Sequence, residues 1–393
     1  MTTVPPVLNT SPRLSGYGSG SYPEADVTLL LDIVDKSAIN NVPIDKKEAL
    51  IQSGQQHYSD MLTLEEAPSA THEALYKEAL AAGGTRMAQD IANLAHTLHH
   101  TFNAEVSPQT PLILVSLVRA GLPVGVLLQR ALSDTSADYA LPSIHYGMSI
   151  IRDRGLDAHA LAQILAQHKG SKLVFVDGWT GKGAIYGELA RSLAPYNTDT
   201  HPHFSAIFHQ GADVVPLLTL ADPAGVAWLS ASDDDWLIPS GLLNSTVSGL
   251  VSRSLYTAPE AGIHRAVMYD NLQAHDQSTS FITQVDALRP QSSKTLTLLP
   301  TYQQPRYSTA AIVQTIAEAG NIDNPNRIKP TIAEATRAIL RRDPEQVLLA
   351  TAEHPDTKLL RHLCAQKHID IKIVGAEILP YQAITIIKAR GAR

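Results

Sequence analysis

Residues 174–184 place one acid, one lysine and three glycines directly after a short apolar run. The run Val174-Phe175-Val176 is typical of a strand covered on both faces, and a helix is predicted from residue 184. Small residues let backbone N–H groups approach an anion, and a helix N-terminus adds partial positive charge. The loop therefore predicts a sugar-phosphate site. Asp177 would accept hydrogen bonds from sugar hydroxyls, Thr180 would donate one and Lys182 would add a full charge; a tight structural turn is the alternative.

Two common phosphate-binding motifs do not fit this loop. A Walker A loop needs Ser or Thr after its lysine to bind magnesium, whereas Gly183 follows Lys182. The glycines at 178, 181 and 183 also lack the spacing of a dinucleotide-binding fold. The loop is therefore assigned to neither class.

Two arginine-bearing turns precede the loop. Arg119 follows the apolar run 112–118 and is itself followed by Ala120-Gly121, a combination that suits an anion such as pyrophosphate. Arg152 and Arg154 flank a second turn and could close over a diphosphate as a mobile lid. The alternatives are a surface arginine at 119 and a solvated charged turn at 152–154.

Alternating strands and helices must position these turns. Strands are predicted at 112–118, 143–151 and 172–176, and helices at 124–132, 156–168 and 184–194. This order predicts a parallel α/β sheet, with ligands at the carboxyl ends of its strands. Helical patterns also dominate 44–102, with a predicted break at Gly83-Gly84.

Composition and charge divide the chain into segments. We predict an irregular, flexible N-terminal segment at 1–24, the α/β domain at 25–256, a connector at 257–320 and a small α/β/α domain at 321–393. The last segment holds 12 basic and 8 acidic residues, whereas 1–320 holds 19 basic and 30 acidic residues. Opposite charge suggests different partners for the two domains, with chance as the alternative. In the small domain, helices are predicted at 331–342 and 355–367, and strands at 346–351, 369–374 and 383–388.

The chain has one cysteine, Cys364, which excludes an internal disulfide framework and a cysteine-rich zinc site. Its apolar runs are shorter than the ~18–20 residues of a membrane span, and its N-terminus does not read as a signal peptide. We therefore expect a cytoplasmic protein with no membrane partner. His96 with His100, at helical spacing, and Asp233-Asp234-Asp235 could bind metal, but a solvated surface is the expected role of each.

Basic residues cluster at the start of the small domain. Arg337 and Arg341 share a predicted helix face at i,i+4 spacing, with Arg327 and Lys329 just before the helix and Arg342 at its end. Such a patch suits RNA phosphates, and a charged exposed helix is the alternative.

These motifs together resemble a known family. The arginine turns and the Val176-Asp177-Gly178 strand end are similar to type I phosphoribosyltransferases. More closely, residues 19–22, 57–59, 149–155, 176–180 and 238–249 resemble the phosphoribosyltransferase family of bacterial tellurite-resistance-type (Ter) stress operons, sometimes labelled the cysteine protease StiP family. Residues 326–330 and 332–337, continuing to 363–364, resemble a Pelota-type RNA-binding domain.

The resemblance implies a type I phosphoribosyltransferase-like sheet domain that binds phosphoribosyl diphosphate with Mg²⁺. It implies catalytic roles for Asp177, Arg119, Arg152 and Arg154. It implies a donor site made of Asp177, Gly178, Trp179, Thr180, Gly181, Lys182, Gly183, Ala120 and Gly121. It implies acceptor contacts from Ser240, Gly241, Asn244 and Ser245, and RNA contacts from Arg327, Lys329, Arg337 and Arg341. A homodimer is plausible for such a family.

The predicted function is transfer of a ribosyl phosphate to or from an unidentified base or metabolite in a stress response. The alternative is a non-catalytic protein that senses a nucleotide or ribosyl phosphate and binds RNA. This alternative stays open because Gly178 stands where many family members carry a second acid. Proteolysis is not expected, since Cys364 lies outside the α/β domain and is predicted to be a buried small hydrophobe.

Overall fold

The computed structural model describes residues 12–196, 215–291 and 306–389. Its strands are β1 (Thr28–Leu30), β2 (Asp32–Ile33), β3 (Leu112–Leu117), β4 (Ser143–Met148), β5 (Ile150–Ile151), β6 (Gly155–Leu156), β7 (Leu173–Trp179), β8 (Leu217–Ala221), β9 (Leu229–Ser232), β10 (Arg265–Ala266), β11 (Ile328–Pro330), β12 (Pro344–Leu349), β13 (Asp370–Ile373) and β14 (Ala383–Ile387). Its helices are α1 (Ile44–Gln52), α2 (Ala70–Phe102), α3 (Gly121–Ser133), α4 (Ala158–Gln167), α5 (Ala184–Leu193), α6 (Ser278–Ala287), α7 (Ala310–Ala319), α8 (Ile332–Arg341) and α9 (Lys358–Gln366).

The larger domain is built on a six-stranded sheet of order β1-β4-β3-β7-β8-β9. Every neighbouring pair in this sheet is parallel, so the predicted parallel α/β architecture is confirmed. Apolar side chains of α2, α3 and α6 pack in the core on one face, and those of α4 and α5 pack on the other. Two-sided cover explains why β3 is apolar along almost its whole length.

The predicted break at Gly83-Gly84 is wrong, because α2 runs unbroken through both residues. A Cβ at Gly83 would lie 3.2 Å from Pro239 Cγ and 3.4 Å from the Trp236 ring. The glycines therefore permit close packing, and the tertiary contacts of the buried helix face outweigh their low helix propensity.

The smaller domain has a four-stranded sheet of order β11-β14-β12-β13. The β12–β13 pair is parallel, and β14 runs antiparallel to β11 and β12. Its helices and strands at 332–387 match the predicted elements closely. Within the range predicted as a connector, α7 packs in this domain's core and α6 packs against α2 and α3.

The N-terminal segment is tied to the larger domain where the structure describes it. Residues 12–24 form no helix or strand, but Tyr22 is buried and Ser21 N–H donates to Gly249 C=O at 3.0 Å. The rest of that predicted flexible segment, 1–11, lies outside the described residues. Among the described helices, none combines the length and the apolarity needed to cross a bilayer.

Candidate functional site

A cavity of about 630 Å³ lies between the two domains, at the carboxyl ends of β3 and β7. The turn 177–183 forms one wall, and the start of the smaller domain with α8 forms another. Parallel α/β folds bind ligands at the carboxyl ends of their strands, which is where this cavity lies.

The cavity walls carry a large excess of positive side chains. The acids that line it are Asp153, Asp177 and Glu334. The cations that line it are Lys47, Arg152, Lys182, Arg253, Arg327, Lys329, Arg337, Arg341 and Arg342. Low-dielectric walls of one sign concentrate ions of the opposite charge, so the cavity attracts anions.

Acids outside the walls neutralise part of this excess. Arg327 pairs with Glu345 at 3.0 Å, and Arg342 forms a doubly hydrogen-bonded pair with the fully buried Glu48. Within the walls, Lys329 Nζ lies 3.5 Å from Glu334 Oε1. Burial lowers the pKa of Lys329 to about 7. A second charge of the opposite sign would therefore stabilise protonated Lys329.

Asp177 lies two residues before the end of β7, which runs past the predicted strand end at 176, and it lines the cavity. Burial raises its pKa to about 7, while the Gly178 N–H at 2.8 Å and the nearby Arg337 act against that rise. The turn that follows needs glycine at 183, where φ is +78°. At Gly181 the smaller domain lies close, since Glu334 Oε2 is 2.6 Å from the position of a Cβ, although the flexible Glu334 side chain could move away.

Two predicted ligand donors in this turn are already engaged. Thr180 Oγ1 donates to Asp222 Oδ1 at 2.5 Å and is buried. Lys182 Nζ donates to the backbone carbonyls of Pro325 and Ile328, the latter at 3.0 Å. Both residues line the cavity, but their hydrogen bonds hold the turn and join it to the smaller domain.

Of the three arginines predicted at the diphosphate, the structure brings one to the cavity. Arg152 lines it and donates to Asn326 Oδ1 at 3.1 Å. Arg119 is buried behind it, bound to Glu65 at 2.6 Å and to Val251 C=O at 2.8 Å. Arg154 is bidentate with Asp60.

The two residues after Arg119 were predicted to belong to the donor site. Ala120 lines the cavity, and Gly121 packs against the β7 backbone.

The predicted acceptor residues Ser240, Gly241, Asn244 and Ser245 lie outside the cavity, beneath α8. A Cβ at Gly241 would lie 3.1 Å from the Ala333 Cβ, so this segment is packed against the smaller domain. Asn244 Oδ1 accepts a hydrogen bond from Arg341. The segment is therefore an interdomain contact.

The four predicted RNA-contacting residues all line the cavity. Arg337 lies over the Trp179 ring, and Arg341 also approaches Glu65 at 3.8 Å. The basic face of α8 therefore points inward, against the larger domain, rather than toward solvent. The inward orientation could not be predicted from the sequence, because helical spacing shows which residues share a face but not which part of the protein covers that face.

Several lining residues were not predicted as site residues. Among them are Lys47, His57, Tyr58 and Arg253. His57 and Tyr58 lie in the motif at 57–59 that helped to carry the family resemblance, which was the available signal. His57 Nδ1 shares a hydrogen bond with Ser59 Oγ at 2.8 Å, and burial lowers the His57 pKa.

The other candidate metal sites are not assembled in the described residues, where no group of three or more potential metal ligands occurs. Asp235 accepts the backbone N–H groups of Ile332 and Gln382 across the domains. Asp234 pairs with Arg86 at 2.6 Å. The Mg²⁺ prediction remains untested.

Cys364 lies on α9 with its side chain fully buried. Burial raises the thiol pKa to about 11. Reactive cysteines have a lowered pKa and partial exposure. The predicted role as a buried small hydrophobe fits this environment.

Comparisons with known proteins assign the family. The profile described as tellurite-like stress resistance cysteine protease StiP matches residues 20–286. Cysteine protease StiP of Acinetobacter baylyi (strain ATCC 33305 / BD413 / ADP1) is 45% identical over 389 residues, covering 95% of each chain. The chain belongs to the StiP family. A PELOTA RNA binding domain profile matches residues 307–389. No solved structure matches.

Membership of the StiP family corrects the predicted function. The StiP label and the Pelota-type domain are confirmed, but the prediction of a phosphoribosyltransferase is wrong, because the relative is named a cysteine protease. The transferase class and phosphoribosyl diphosphate as a partner are withdrawn with it. The sheet is parallel α/β, and its identity with the type I phosphoribosyltransferase fold is not supported.

The StiP-family name also conflicts with the expectation that the chain is not a protease. Cys364, the one thiol of the sequence, lies within the Pelota match and outside the StiP match. The StiP match therefore covers the parallel-sheet domain, whereas the thiol that a cysteine protease would use lies in the smaller domain.

Proposed function

We propose that the protein binds the phosphate groups of single-stranded RNA in the cavity between its two domains. The observation that carries this proposal is the set of nine cationic side chains from both domains around one cavity. Phosphate contacts by Lys and Arg supply most of the affinity in non-specific nucleic-acid binding. The match to an RNA-binding domain favours RNA over other anions.

The volume of the cavity and the packing of the larger domain over α8 favour single-stranded over double-stranded RNA. A volume of about 630 Å³ falls within the range of small-molecule sites, ~300–1,000 Å³, and has room for a nucleotide or two. Arg337 approaches the carbonyls of Ser240 and Gly241, at 3.5 Å and 3.4 Å, so the larger domain covers the α8 face. A duplex cannot reach that face while the domains are together.

Fluorescence anisotropy with a short, labelled, 5′-phosphorylated single-stranded RNA tests the proposal. Lys329→Met removes a buried cavity charge and keeps the length of the side chain, and we expect at least tenfold weaker binding, ~1.4 kcal/mol. Lys172→Met is the matched control, because Lys172 precedes β7 at the opposite end of the strand and pairs with Glu105. It removes one positive charge outside the cavity.

The proposal also requires salt dependence. Affinity of the wild type should fall steeply as salt rises, and the slope should be shallower for Lys329→Met. Equal affinity of both variants, in folded protein, would place any RNA site elsewhere. Absence of binding by the wild type would refute the proposal.

The name of the relative favours proteolysis as a second candidate function. Cleavage of an unfolded protein substrate by the wild type and by Cys364→Ala tests it directly, because the sequence contains no other thiol. Loss of cleavage in a folded Cys364→Ala protein would support a cysteine protease. Retained cleavage would show that the nucleophile is not a cysteine.

A further inference from the structure

The edge strand β13 of the smaller domain exposes an apolar side. It is the last strand of the sheet, paired to β12 on one side, and no strand of the described residues pairs with its other side. All four of its residues are exposed, with Ile371 at 37% and Ile373 at 48% of full exposure. An exposed apolar edge without proline is a template for pairing with another strand.

The backbone of β13 shows which groups are free for such pairing. Val374 N–H donates to Leu349 C=O at 2.9 Å, so Val374 faces β12. In a parallel ladder, alternate residues of an edge strand direct both backbone groups to the same side. Asp370 and Lys372 therefore face β12, and Ile371 and Ile373 present their N–H and C=O groups outward.

The sequence of β13 is complementary to itself when two copies run antiparallel. A two-fold axis at Ile371 places Ile371 opposite its own copy and Ile369 opposite Ile373. The same register places Asp370 opposite Lys372 twice. Ile371 then forms a hydrogen-bonded pair with its own copy. Ile373 N–H can donate to Ile369 C=O of the other copy, whereas Ile369 N–H stays bonded to Cys364 C=O of its own chain at 2.9 Å. Asp370 and Lys372 form the close, non-hydrogen-bonded pairs, in which opposite charges are stabilising.

We infer that β13 is a homodimer interface, at which two copies of this chain join their four-stranded sheets edge to edge. A second copy fits this edge because, in the antiparallel register, opposite charges pair and the isoleucine side chains meet. The outward N–H and C=O groups of Ile371 also face those of its own copy. Such an interface is isologous and closes as a dimer. This inference is independent of RNA binding.

Charge reversal tests the register in the full-length protein by sedimentation at a series of concentrations. We expect the wild type to dimerise. Asp370→Lys places lysines opposite lysines and Lys372→Asp places aspartates opposite aspartates, so each variant should weaken the dimer at least tenfold. The double variant Asp370→Lys/Lys372→Asp restores opposite charges and should restore the dimer. Circular dichroism checks that each variant is folded.

Cysteine cross-linking tests the two-fold axis. Hydrogen-bonded antiparallel pairs have Cα atoms ~5.5 Å apart, within the ~4.4–6.8 Å that a disulfide spans. Mild oxidation should therefore link Ile371→Cys into a dimer and leave Ile373→Cys, which is opposite residue 369, unlinked. A monomeric wild type, no rescue by the double charge reversal, or linking only through position 373 would overturn the inference.

Discussion

The guanidinium carbon of Arg337 lies 4.7 Å from the centroid of the Trp179 ring. Trp179 is the last residue of β7, and Arg337 lies on the inward face of α8. Burial lowers the pKa of Arg337 to about 10, and nearby acids, Asp177 among them, oppose that shift. A cation–π contact therefore joins β7 of the larger domain to α8 of the smaller domain.

Replacement of Trp179 should weaken the contact between the two domains. Trp179→Leu removes the aromatic face, and we expect the free energy of unfolding to fall by about 1–2 kcal/mol. Trp179→Phe keeps a ring under Arg337 and should lose less. Urea unfolding followed by circular dichroism measures both. Equal losses for Phe and Leu would show that volume, and not the cation–π contact, matters.

The ion pair between Glu48 and Arg342 should contribute strongly to stability. Glu48 is fully buried on α1 and bonds Arg342 at the end of α8. Glu48→Gln leaves a partly buried arginine without its carboxylate and should lower the free energy of unfolding by about 3 kcal/mol.

An exposed pair across the same two domains provides the control. Glu78 and Lys358 are more than half exposed and lie 2.6 Å apart. Exposed pairs contribute little, so Glu78→Gln should change stability by less than ~1 kcal/mol. Similar effects of the two substitutions in urea unfolding would contradict the assignment of stability to buried charge.

Much of this fold could be predicted because local signals agree with tertiary structure. The run 112–118 is apolar except for Ser116 because β3 is covered on both sides. Asp177 was expected just after its strand, but β7 continues for two more residues, to Trp179. In the smaller domain the order from α8 to β14 was likewise predicted, but the three-residue strand β11 before α8 was missed, since so short a strand leaves no periodic pattern.

The arrangement of the site could not be predicted, because it depends on how two domains meet. Arg119 was expected at a diphosphate, but Glu65, distant in sequence, neutralises it. Arg337 was expected in an exposed patch, but residues 240–241 cover it. No local pattern in the sequence reports such long-range partners.

Asp177 should make stability depend on pH. Its folded pKa of about 7 lies above its ordinary value of 3.8, so the folded state binds a proton that the unfolded state releases. Its contribution to stability is full below pH 3.8 and is lost as pH rises toward 7. Asp177→Asn carries no charge and should become more stable relative to the wild type over that interval.

Thermal unfolding of both proteins at pH values from 4 to 8 measures this difference. Asp323→Asn, at an exposed carboxylate of the smaller domain, controls for removal of a negative charge. A difference between wild type and Asp177→Asn that stays constant with pH would mean that Asp177 is ionised in the folded protein at all these pH values.

Cys364 should react slowly in the folded protein. Its side chain is buried and its thiol pKa is raised to about 11, so at neutral pH the thiolate that attacks an alkylating reagent is scarce and shielded. We expect iodoacetamide at neutral pH to modify native Cys364 at about one hundredth of the rate in guanidinium, or slower. Intact mass spectrometry over time measures both rates.

The variant Ile371→Cys supplies the matched control, since it adds an exposed thiol on the neighbouring strand of the same domain. Under dissociating conditions that thiol should be alkylated while Cys364 stays intact. Rapid modification of native Cys364 would instead reveal an accessible thiolate. It would mean that α9 opens in solution, and it would favour the cysteine chemistry in the relative's name over a purely structural thiol.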